Sequence, residues 1–104
     1  MPKLQQYEIV FNEPYTDKYD AMSSVGLAAA DAAIRNITMT NILIGNITNE
    51  ESELTLDGLT LRVSRLWSDS AYNELIQIAS PEEIKVIIED LAHVSSVTYG
   101  FSDA

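Results

Sequence analysis

The chain has 104 residues, enough for one hydrophobic core and too few for two, and its 46% hydrophobic and 21% charged residues place it among folding chains rather than disordered ones. With no cysteine, it cannot form disulfides, a thiolate metal site or a cysteine nucleophile. Its net charge of −10, from sixteen acidic against six basic residues with no basic run, disfavours direct nucleic-acid binding and adhesion to an anionic membrane.

Met1 to Gln6 carries no apolar segment behind Lys3, and nowhere do about eighteen apolar residues run together, so a cytoplasmic setting is expected. Residues 4–11 end in the β-favouring run Ile9-Val10-Phe11 and stop at Asn12-Glu13-Pro14, which predicts a strand and a turn. From Asp17 or Asp20 to about Arg35 the residues are good helix formers with an aspartate available as cap. Met22, Val25, Ala29, Ala32 and Ala33 share the buried side of that helix, and Gly26 suits close packing on a sheet.

Residues 37–48 are rich in Ile and Thr, and Ile42-Leu43-Ile44 reads as a central strand covered on both faces. The sequons at Asn36 and Asn46 are neutral without a secretory route. Glu53 to Arg62 alternates into Asp57-Gly58 and out again, the pattern of a hairpin with a two-residue type I′ loop. With Asp57 and Gly58 as the loop, Leu56 faces Leu59, Leu54 faces Leu61, Thr55 faces Thr60 and Glu53 faces Arg62. The alternation falters at Arg65-Leu66-Trp67, which predicts a bulge or the strand end there.

Ser68-Asp69-Ser70 offers caps for a short helix whose inner side holds Ala71, Tyr72, Leu75, Ile76 and Ala79. Ser80-Pro81-Glu82-Glu83 reads as a capping box with proline at the first helical position, followed by a stripe of Ile84, Ile87, Ile88 and Leu91. Val97, Tyr99 and Phe101 alternate into a closing strand. The order β-α-β-β-β-α-α-β predicts a single α+β domain over residues 1–104. It would have a mostly antiparallel sheet of four to five strands and two to three helices on one face. Such an arrangement is similar to a ferredoxin-type split βαβ with an extra element inserted.

Residues able to do chemistry are sparse. His93 is the only histidine, at the end of a helix where an imidazole complements the dipole, and no serine stands in a Gly-x-Ser-x-Gly elbow. The four glycines are isolated, so no phosphate loop exists. Asp17 and Asp20 lack the spacing of a calcium loop and read as caps. No catalytic residue, cofactor or metal is expected. Candidate aromatic anchors for a partner are Trp67, Tyr72, Tyr15 and Tyr19, although Trp67, at a strand end, reads more strongly as packing on the core edge.

The function expected from these residues is that of a small acidic binding protein, an inhibitor or regulator that docks on the basic surface of another protein. Glu50, Glu51, Glu53, Asp57, Glu89, Asp90 and Trp67 form the expected contact set. Spaced carboxylates imitate a phosphate array, and in bulk character the chain resembles small phage-encoded inhibitors of host defence, including DNA mimics. The alternative is an assembly module that homo-oligomerises through a sheet edge or the Trp67 region, and an enzyme is the least expected reading.

Overall fold

Alternation along Lys3–Phe11 (β1) sends Gln5, Tyr7, Ile9 and Phe11 to one side of the strand and Gln6 and Glu8 to the other. The computed structural model describes residues 1–32, 52–78 and 81–103. After β1 come Lys18–Ala32 (α1), Glu53–Asp57 (β2), Thr60–Trp67 (β3), Asp69–Ile78 (α2), Pro81–Glu89 (α3) and Val94–Asp103 (β4). These elements make an α+β fold around a four-stranded sheet of order β2-β3-β1-β4, antiparallel at every described pair. The predicted strand in 37–48 and the Ser80 cap lie outside the described residues, as do Glu50 and Glu51.

Each described helix starts where its sequence places a cap. Asp17 Oδ1 accepts from the main-chain N–H groups of Tyr19 (2.7 Å) and Asp20 (3.2 Å), which satisfies two of the orphan donors of α1. Ser68 does the same for α2 through Ala71 N–H at 3.3 Å, and α3 begins on Pro81. The small-residue stripe of α1 is buried through Ala21, Val25 and Ala29, where Ala21 takes the place expected of Met22, which is half-buried. Ile88 of α3 and Leu91 beyond it complete the cover over Tyr7, Ile9, Phe11, Leu61 and Val63. Burying a Val, Leu, Ile or Phe side chain stabilises by about 1.5–3 kcal/mol, so this face holds the sheet and helices together.

One local expectation, the hairpin register, is corrected. The hairpin turn is Gly58-Leu59, and the pairs are Asp57 with Thr60, Leu56 with Leu61, Leu54 with Val63 and Thr55 with Arg62. Gly58 has φ 58°, and no described residue other than glycine has positive φ, so the loop is type II′ with glycine first. A type I′ loop would need Asp57 as well as Gly58 on the left-handed side, which is unfavourable for a residue bearing a Cβ. Glu53 therefore faces Ser64, and Arg62 pairs instead with Glu8 on β1.

Of the two outcomes expected at Arg65–Trp67, the strand end is the one that forms: β3 closes at Trp67, and no bulge precedes it. β3 runs in regular register against β1 from Thr60 to Trp67, with Arg65 facing inward and its guanidinium 3.9 Å from the Trp67 ring centroid. The pleat is intact, and only the hydrophobic pattern falters, because a cation occupies an inner position. The irregularity lies in β4 instead, where the register shifts between Val10 and Phe11. Asn12 braces that point: its N–H donates to His93 O at 3.0 Å, its Nδ2 to Ala92 O at 2.9 Å, and its Oδ1 accepts from Ser95 Oγ.

Candidate functional site

The covered face changes character along its length. At the Ile9 end it is apolar, whereas at the Gln5 end it is a closed polar network. Gln5 is 1% exposed, and its Nε2 donates to the Tyr7 hydroxyl (2.7 Å) and the Tyr99 hydroxyl (3.0 Å) while its Oε1 accepts from Trp67 Nε1 at 2.7 Å. Every amide hydrogen of the glutamine is thus used, as a buried polar group requires. Burial raises the hydroxyl pKa of Tyr7 well above the ordinary value and raises that of Tyr99, so both remain neutral hydrogen-bonding groups. At the rim Lys3 bonds Asp103, which raises the lysine pKa and lowers that of the carboxyl. Trp67, expected as a partner contact, is 9% exposed and is held in this network.

His93 meets Ser24 across the α1 interface, with Nε2 to Oγ at 3.1 Å, and its ring stacks on Phe11 at 5.5 Å between centroids. Serine has one hydroxyl proton, and the Ser24 hydroxyl donates it to Ala21 O at 2.7 Å. The imidazole must then present Nε2–H to Oγ. A general base needs the opposite polarity, with its lone pair aimed at the hydroxyl proton. The pair joins α1 to the turn before β4. Among the described residues no group of three or more His, Cys, Asp or Glu is arranged to hold a metal ion, and no helix is long and apolar enough to cross a membrane.

The opposite face of the sheet carries no described helix. Its rows follow from the register: Glu53, Ser64, Gln6 and Gly100 in one, and Thr55, Arg62, Glu8 and Thr98 in the next. The third row holds Asp57, Thr60, Val10 and Ser96. Arg62 Nε donates to Glu8 Oε2 at 3.2 Å, with both side chains about half exposed. Glu53 and Asp57 stand on the same side of β2, about 13 Å apart at the rise of an extended strand, and both are exposed. A depression of about 310 Å³ beside Glu53 is lined by Gln6, Glu8, Glu53, Thr55, Arg62 and Ser64, and Asp57 lies outside it. A shallower hollow of about 520 Å³ lies between the start of α1 and β2, next to Lys18, Tyr19 and Leu54.

The expected contact set is therefore divided. Glu53 and Asp57 belong to the open face, while Glu89 and Asp90 lie at the end of α3 in the helical layer, where Glu89 pairs with Lys85 at 3.7 Å. Of the aromatic residues, Tyr15 packs edge-on against Phe11 and Tyr72 against Phe101, and Tyr19 is 59% exposed. Glu8 and Gln5 escaped the sequence reading. Alternation within the first strand separates their faces, but neither role is visible until β3 and β4 are paired to it. No family model, curated protein or solved structure matches the chain.

Proposed function

We propose that this chain is an acidic binding module that docks through the open face of its sheet on a cationic surface of a partner protein, as an inhibitor or regulator. One observation carries the reading. In a chain of net charge −10, the face that carries no described helix presents Glu8, Glu53 and Asp57 against one cation, Arg62, among the described residues. Glu53 and Asp57 are both exposed, and neither makes an ion pair among the described residues. Carboxylates set on a rigid sheet keep their spacing, and the field of the whole chain steers a cation toward them. A partner surface built to receive phosphates meets the same chemistry, which is the DNA-mimic form of the reading.

The test uses decalysine as the cationic probe, titrated by calorimetry against the wild-type chain, E53Q/D57N and D31N/D90N. Both variants lose the same charge, the second from exposed positions in the helical layer. Binding that weakens with salt, falls several-fold in E53Q/D57N and stays near wild type in D31N/D90N is expected, since single exposed charge contacts are worth about 0.2–1 kcal/mol. Equal losses in both variants would show that net charge alone attracts the probe. Binding indifferent to salt would overturn the proposal.

A further inference from the structure

The two edges of the sheet are built differently, and we infer that the β4 edge accepts an extended cationic segment of the partner as a fifth strand. This inference rests on the cationic-docking reading and names the form in which the partner binds. β2, the opposite edge, has five residues and carries carboxylates at both ends, Glu53 and Asp57, a common protection against strand pairing. β4 has ten residues, and from Val94 to Ser102 it contains no lysine, arginine, acid or proline. Its register with β1 is regular from Ser96 to Asp103, and no described strand lies on its other side. A long, uncharged edge of this kind presents a row of main-chain donors and acceptors.

Gly100 is an independent observation at the same place. It sits in mid-strand without positive φ, and a Cβ built there meets nothing within 4 Å. Neither backbone conformation nor internal packing calls for glycine, which weakens a strand and there commonly marks the close approach of another backbone or ligand. The side chains of β4 on the open face are Ser96, Thr98, Gly100 and Ser102, none larger than threonine. A lysine or arginine on an added strand can therefore lie across β4 toward Glu8, which faces Thr98 and is two strand spacings, about 10 Å, from the newcomer.

On the other side, alternate residues of the added strand meet half-buried Tyr99 and Phe101, which favour apolar partners. The segment that fits thus alternates basic and apolar residues. A second copy of this chain is the poorer occupant, because it brings −10 against −10.

The experiment uses three synthetic peptides of alternating lysine and valine, matched in length to the ten residues of β4. One is unmodified, one is N-methylated on its odd residues and one on its even residues. All keep their charge. In an extended strand, alternate N–H groups point to opposite edges, so only one methylated peptide loses the bonds to β4. Fluorescence anisotropy should show one methylated peptide bound about tenfold or more weaker and the other near the unmodified affinity. Equal affinity for all three, or equal loss in both methylated forms, overturns strand addition and leaves electrostatic docking standing. If the unmodified peptide fails to bind at low salt, the cationic reading itself falls. A stable dimer of the chain by light scattering, dissolved by none of the peptides, assigns the edge to a second copy and overturns the inference.

Discussion

The two faces of the sheet are written in the same four strands, one residue apart, and they are governed by different physics. On the covered face Ile9, Phe11, Leu61 and Val63 lie under α1 and α3, and Gln5 is locked between two tyrosines and a tryptophan. The open face has Glu8, Glu53, Thr55 and Asp57 exposed, and among the described residues an ion pair joins Glu8 to Arg62 across the register. Substitution on the first face is paid in stability, whereas the second can change its chemistry with the fold intact. A surface with that freedom is where a binding function can reside.

The sharpest way to break this contrast is to truncate neighbours. Ile9→Ala, at 0% exposure, is expected to lose about 2–5 kcal/mol in urea unfolding, and Val10→Ala on the other face about 0.5–1 kcal/mol. Equal losses would mean that the open face is covered in solution. Next in size is Gln5→Leu, which keeps the volume but strands the Trp67 N–H and two tyrosine hydroxyls. A loss of about 1–3 kcal/mol is expected. Adding Trp67→Phe should cost less in that background than in wild type, and a thermodynamic cycle measures the difference.

The polar end of the covered face also gives a pH signature. An unfolded tyrosine loses its proton near the ordinary value of 10.0, while folded Tyr7 keeps it because burial and the contact with Tyr99 raise its pKa. The unfolded chain thus releases protons first, so the stability that is complete below about pH 10 falls as pH rises above it. Tyr7→Phe should flatten that alkaline limb in denaturant midpoints measured against pH. The smallest effect belongs to the open face. Gly100→Thr has space around it and no conformational barrier, and it is expected to raise stability by about 0.5–1 kcal/mol. A loss would mean that the glycine serves the fold after all.

Much of the fold was legible because its determinants are local. Capping at Asp17 and Ser68, proline at the start of α3, and the stripes containing Val25, Ala29, Ile88 and Leu91 are set within a few turns of chain. The α+β class followed from the order of these elements. The candidate site was legible only in part. Glu53 and Asp57 declared themselves by charge at the hairpin, but Glu89 and Asp90 were grouped with them although they occupy the other layer. Trp67 read more strongly as core edge than as anchor yet stayed in the contact set, because its partner, Gln5, lies 62 residues away in sequence.

The hairpin separates what the sequence alone determined from what the tertiary structure decided. Moving the turn from Asp57-Gly58 to Gly58-Leu59 changed every pair, yet Leu54, Leu56 and Leu61 remained inward and Glu53, Thr55 and Arg62 outward. The face of a residue follows from the two-residue period of an extended chain, which the sequence carries by itself. Its neighbours depend on which glycine conformation closes the loop and on which strand arrives beside it. Arg62 thus found Glu8 in place of Glu53, and the open face acquired its row of charges only when β1 packed between β3 and β4.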